Sequence, residues 1–222
     1  MNFEYSIVYS ARKTLQISVE RDRSVVVRAP EGTPREKIEE AVESKKLWLY
    51  EKLKHPQKYR EVATSKELVS GASLLYLGKE YKLDFVGDDF DGIIFESKFL
   101  ISRSFKPLAA QFIRDWFMES AKRIIPPKVK TFARQLGVKY NRVLVSDLKY
   151  RWGSCTPKNN LNFNWRLVKA PMNVIEYVIV HELVHLLEPN HTPRFWGIIK
   201  AQLPHYSKAK GWLKEHGELL EA

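Results

Sequence analysis

The sequence predicts an α+β protein in two portions: a β-rich amino-terminal portion with one helix over residues 1–104, and a helix-dominated core over 105–222. Three observations lead there. Short runs of β-branched and aromatic residues, separated by charged turns, crowd the first portion. Apolar residues recur at helical spacing over 105–136. Residues 171–188 are apolar nearly all round, the composition of a buried helix.

Strands are expected over 3–9, 14–20 and 24–28. Thr33 then suits a helix cap, Pro34 the first helical position and Glu36 the carboxylate of a capping box. Ile38, Ala41, Val42, Leu49 and Leu53 give that helix an apolar side as far as His55-Pro56, which ends it, and the polar stretch 55–67 reads as a linker. Residues 74–77 and 81–85 form a predicted hairpin around Gly78-Lys79, and Asp91-Gly92 marks a turn before 93–95. The helical region 105–136, with Phe112, Ile113, Trp116, Phe117 and Ala121, should break or kink at Pro126-Pro127. Strands are predicted at 142–145 and 161–168, the second because Leu161, Phe163, Trp165 and Leu167 alternate with Asn162, Asn164 and Arg166. Pro171 opens the apolar helix, Thr192-Pro193 caps another, and Leu213, Leu219 and Leu220 suggest a last one.

With 44% hydrophobic and 28% charged residues the chain is neither disordered nor fibrous. No apolar run approaches the ~20 residues of a bilayer crossing, so no membrane insertion is expected. The start MNFEYSIVYSARK lacks a secretory pattern, and Cys155, the only cysteine, excludes an intrachain disulfide. A cytoplasmic setting is expected. Thirty-seven basic against 26 acidic residues give a net charge of +11, which favours nucleic-acid or nucleotide association by attraction alone, because the excess is scattered.

The chemistry is concentrated in HELVHLLEPNH, residues 181–191. On a helix, His181 and His185 lie on one face, about 40° apart, and can hold one metal ion. Glu182 sits beside that face, where a carboxylate can reach a metal-bound water without ligating the metal. A helix continued to residue 191 would carry its histidine off the metal, but Pro189 stops the helix and Asn190 tolerates a reversal. Three neutral imidazoles leave one position open on a tetrahedral Zn2+, as in catalytic sites. The expected function is metal-assisted hydrolysis of a peptide or similar acyl bond, with Glu182 as general base. The spacing of His181, His185 and His191 is similar to that of metzincin peptidases, with Glu188 in place of their glycine. Rival third ligands are His205, Glu215 and Glu218, in a gluzincin-like arrangement.

Residues 150–196 resemble the YgjP-like metallopeptidase domain, a family of metal-dependent hydrolases. The resemblance is carried by Arg151-Trp152-Gly153-Ser154-Cys155, by 161–167, by the histidine motif, and by Asn190-His191 with Phe195-Trp196. Coarser similarity reaches Tyr76-Leu77-Gly78. It implies a zincin-like metallopeptidase core with a buried HExxH helix, zinc on His181, His185 and His191, and Glu182 as base. It also implies a polypeptide substrate and kinship to SprT-like proteases, some of which cut proteins attached to DNA.

Substrate contacts are expected from Arg151, which suits a carboxylate or phosphate, and from Asn162 or Asn164 beside a peptide backbone. Two other readings remain at this level. Positive charge and Arg151 suit a metal-dependent nucleotide phosphoanhydride hydrolase, although no phosphate-binding loop motif is present. A basic nucleic-acid-binding module with a structural metal would leave Glu182 without a purpose.

Overall fold

The computed structural model describes residues 4–19, 24–54, 68–87, 90–148 and 151–221. The chain divides into two compact units, residues 1–63 and 64–222. Position 3 of the first predicted strand, the His55-Pro56 stop and the 55–67 linker lie outside the described residues.

In the first unit, strands β1 (Tyr5–Ser10), β2 (Gln16–Val19) and β3 (Val25–Pro30) form a sheet in the order β1-β3-β2. β3 pairs in parallel with β1 and antiparallel with β2. Its alternation places Val25, Val27 and Ala29 in a core completed by Ile38, Val42 and Leu49. The single helix expected over 33–54 is two, α1 (Arg35–Ser44) and α2 (Lys46–Lys54), separated at Lys45, where ψ opens to 10°. Thr33 does not cap α1: its hydroxyl donates to the Pro30 carbonyl at 2.8 Å, which closes the preceding turn and leaves Pro34 at the cap.

The second unit holds two sheets and four helices among the described residues. β4 (Ser73–Tyr76), β5 (Lys79–Val86), β6 (Ile93–Phe95) and β7 (Phe99–Ser102) align in the order β4-β5-β7-β6. The β4–β5 hairpin turns at Leu77 and Gly78, both at positive φ (50° and 79°), as a two-residue hairpin turn requires. Its tip docks by backbone hydrogen bonds, Leu77 N to Val168 O at 2.8 Å and Gly78 N to Lys169 O at 3.0 Å.

Helix α3 (Ala109–Leu136) buries Ile113, Phe117, Ala121, Ile125, Val129 and Ala133 along one stripe. It runs through Pro126 and Pro127 without the predicted break. The carbonyls that lose their partners belong to Lys122 and Arg123, exposed residues whose backbone water can serve, while burial on either side of the prolines holds the helix together. The sheet packs onto this helix: Trp116 meets Tyr76 and Phe99 at 4.9 Å between ring centroids, and Phe95 at 5.3 Å. Residues 68–102 therefore share a core with α3, which is why the units divide at 63/64 rather than at the sequence boundary of 104/105.

The third sheet, β8 (Arg142–Ser146), β9 (Gly153–Cys155) and β10 (Asn160–Asn164), has the order β8-β10-β9 with β9 at its edge. The predicted strand over 161–168 stops at Asn164. Its side chain accepts from the Arg166 amide and starts a 3₁₀ turn, Trp165–Lys169, that buries Trp165, Leu167 and Val168 by a different route. Helix α4 (Met172–Val184) follows, with Val174, Ile175, Val178, Ile179, Val180, Leu183 and Val184 buried. It ends four residues before the expected 188, and the chain runs on to Pro189 as a turn in which Glu188 N still bonds to Val184 O at 2.9 Å. The final turn tightens, Leu186 N bonding to Leu183 O and Leu187 N to Val184 O. Helices α5 (Pro193–Gln202) and α6 (Tyr206–His216) follow, and a 3₁₀ turn over Gly217–Leu220 comes after them. Among the described residues no helix is long and apolar enough to cross a membrane.

Candidate metal centre

His181 lies in the last turn of α4 and His185 at its C-cap, so one helical turn places both imidazoles on one side. Past the Pro189-Asn190 turn, His191 stands just before Thr192, whose hydroxyl caps α5 by accepting from the Phe195 amide. The breaker and the cap together bring the third imidazole back. Ring centroids of the three histidines form a near-equilateral triangle with sides of 5.0, 4.9 and 4.9 Å. One ring nitrogen from each lies within 4.8 Å of the others, and Nε2 of His181 is 3.0 Å from Nε2 of His191. Donors on a tetrahedral zinc, each at about 2.0–2.1 Å, stand about 3.3 Å apart. The His181–His191 pair already stands close to that spacing, and the third donor lies within reach of the same ion. Among the described residues this is the group of donors that converges, and His205, Glu215 and Glu218 are exposed and take no part in it.

Electrostatics favour the ligating state. Burial, reinforced by His185, His191 and Lys210, lowers His181 to about 3, and burial pulls His185 below its ordinary value. Imidazoles held neutral are the form that binds metal. His185 is oriented by a contact of 3.3 Å between Nδ1 and the Glu188 carbonyl, which turns Nε2 towards the site. Nδ1 of His181 is buried without a hydrogen-bond partner, so packing holds that ring. Phe195 supplies it, fully buried with its ring 4.6 to 5.0 Å from all three imidazoles. Phe195 and Trp196 are not among the site residues expected from sequence. Their placement straight after the Thr192 cap was the available signal that they underlie the site.

Glu182 is 6% exposed and faces β9, where the Cys155 amide hydrogen-bonds its carboxylate. Burial pushes it up to about 7 against the pull of that amide and of the Arg151 cation. Gly153 makes the approach feasible, since a Cβ there would stand 2.7 Å from Glu182 Cγ and 2.8 Å from Oε1. A cleft of about 940 Å³ is lined by Arg151, Gly153, Cys155, His181, Glu182 and His185, among others. Arg151 is exposed in it. Asn164, expected to touch substrate, is 1% exposed and outside that lining. Its amide donates to the Leu148 and Arg151 carbonyls at 2.7 and 3.3 Å, and its oxygen accepts from Arg166, so the fold occupies it fully. Asn162 is likewise engaged, donating to Ser154 Oγ at 3.2 Å. The Cys155 thiol is pushed up by burial and by Glu182, which opposes thiolate formation.

No curated protein matches the chain. Among solved structures, the metallopeptidase zymogen of Methanocaldococcus jannaschii jannalysin is 22% identical, with a TM-score of 0.37, over 43% of this chain and 96% of its own. The YgjP-like metallopeptidase domain model matches residues 13–216, and by that span the chain belongs to the YgjP-like metallopeptidase domain family.

Proposed function

We propose that the chain is a zinc-dependent peptidase with a zincin-like core, in which His181, His185 and His191 hold the metal and Glu182 is the general base. The observation that carries this reading is the convergence of three imidazoles, two of which line one cleft together with the buried Glu182 carboxylate. Zinc bound there supplies a Lewis acid that polarises a peptide carbonyl and acidifies water. Glu182 takes the proton of the attacking water on a carboxylate oxygen and returns it to the leaving nitrogen. Gly153 and the Cys155 amide fix that carboxylate, and Phe195 packs against all three imidazoles. Arg151, exposed in the cleft, meets substrate carboxylates. Membership of a metallopeptidase family supports a polypeptide substrate, and no comparison supports a nucleic-acid partner.

Purified protein should carry about one zinc per chain, and Glu182→Gln should retain it while losing about 10²–10⁴-fold in peptide hydrolysis. Unchanged turnover in that variant refutes the mechanism. In the same assay Arg151→Ala should raise KM for peptides with a free carboxylate near the scissile bond and leave amidated, uncharged ones unaffected. Equal effects on both sets remove Arg151 from substrate recognition.

A further inference from the structure

The third ligand differs from the other two in how it is held. His181 and His185 belong to α4 and its cap, whereas His191 is exposed and stands outside any helix. His185 has the Glu188 carbonyl to orient it. For His191, the hydrogen-bond-length contact among the described residues is with His181 Nε2, which is the position a metal would take over. Orientation of its ring must come from something else.

Phe195 meets the edge of that ring at 4.6 Å, and an aromatic stack covers its face. The His191 ring lies on Trp196 at 5.6 Å and 22°. Trp196 lies on Tyr206 at 5.7 Å and 17°, and Tyr206 on Tyr177 at 6.2 Å and 20°. Tyr177 is one helical turn before His181 and meets that ring at 5.9 Å and 67°. The stack thus runs from the third ligand through α5 and α6 and returns to α4 beside the first ligand. Lys210, one turn after Tyr206 on α6, places its Nζ 4.0 Å from the centre of the Trp196 ring, a cation–π contact that pins the indole.

We infer that Trp196 is a positioning residue for the metal: it fixes the His191 imidazole, with Tyr206 and Lys210 fixing Trp196 in turn. The inference rests on the metal-centre reading of the three histidines. A ligand ordered before the metal arrives binds it more tightly, because the entropy of immobilising its ring has already been lost in folding. Residues that orient metal ligands typically change affinity by about 10–100-fold when removed.

The test is a competitive Zn2+ titration of the full chain against a chromophoric chelator, with the Co2+ ligand-field spectrum recorded on each variant. Trp196→Leu should weaken Zn2+ by about 10–100-fold and alter the Co2+ spectrum, while Trp196→Phe, which keeps a stacking face, should stay near wild type. Tyr206→Leu, one ring further away, should give a smaller loss of the same kind. If Trp196→Leu does not fold, the ordering of wild type, Trp196→Phe and Tyr206→Leu carries the test, since circular dichroism identifies folded variants. Tight Zn2+ binding by wild type with equal affinity and identical Co2+ spectra in the folded leucine variants would overturn the inference alone. Wild-type protein that takes up no Zn2+ would sink the metal centre together with it.

Discussion

Gly153 and Glu182 face one another with no room for a methyl group between them. The clash of a Cβ at 2.7 Å falls on Glu182 Cγ, in the middle of a side chain whose far end is tied to the Cys155 amide. Gly153→Ala therefore has to displace the carboxylate. Displacements of about 1 Å at a reacting group cost on the order of 10²-fold in rate. The expected result is a fall in kcat of that order with zinc retained, accompanied by about 1–3 kcal/mol of lost stability from overpacking. Steady-state kinetics beside metal analysis check it, and wild-type kcat would show that Glu182 moves freely. A second residue carries a pH dependence. Lys169 is 7% exposed, with Nζ 5.4 Å from the ring centres of both Phe117 and Trp165. Burial first, then Arg166, lower it to about 8, with Glu221 opposing. Between about pH 8 and 10.5 the unfolded chain keeps a proton that the folded chain has released, so stability rises with pH across that window. The contribution is on the order of 3 kcal/mol in total. Urea unfolding of wild type against Lys169→Met should show the gap between them changing through this range, and a constant gap would dismiss the effect.

At the scale of elements, the β4–β5 hairpin shows which parts of the fold were legible. The hairpin itself could be read, because its signals are local. Its turn, however, falls at Leu77-Gly78, one residue before the expected Gly78-Lys79, and Lys79 is already paired with Tyr76. The docking of the hairpin could not be read. A Cβ on Gly78 would stand 2.7 Å from Pro171 Cγ and 2.9 Å from Pro171 Cα, a contact between positions far apart in sequence that no single chain advertises. The 161–168 segment failed for a related reason. Alternation fits a strand, but Trp165, Leu167 and Val168 are buried equally well by a 3₁₀ turn, and the Asn164 cap selected the turn. In α3 the strong local rule against two prolines lost to a buried stripe on both sides of them. The hairpin contact yields a comparison. Gly71 shares a positive φ, at 90° against 79°, yet a Cβ there meets nothing within 4 Å. Gly71→Ala should cost about 1–2 kcal/mol from backbone strain. Gly78→Ala should cost a further 1–3 kcal/mol or so from the collision with Pro171 at the start of α4. Denaturation midpoints separate the two, and equal losses would mean that the hairpin tip is free to yield.

For the molecule as a whole, the histidine triad was legible because it is written within eleven neighbouring residues, 181–191. What surrounds it was not, since Phe195, Trp196, Tyr206 and Tyr177 read as ordinary core residues until the helices that carry them are assembled. The division of the chain was obscured in the same way. A change from strand-rich to helix-rich sequence suggests a boundary after 104, but the sheet of 73–102 and α3 share one core. This can be tested directly with two truncations. Residues 64–222 contain every member of the candidate metal centre and of the aromatic stack, and they form a compact unit. That fragment should unfold cooperatively and match the full chain in a zinc titration. Residues 105–222 contain the same ligands but lack Leu83, Phe99 and Ile101, each 0% exposed. Losing three such side chains removes about 1.5–3 kcal/mol apiece from a domain whose total stability is about 5–15 kcal/mol. It also uncovers Trp116 and Phe117 on α3. The shorter fragment should therefore aggregate or bind dye as a loosened state, and a cooperative, zinc-binding 105–222 would restore the boundary that composition suggests.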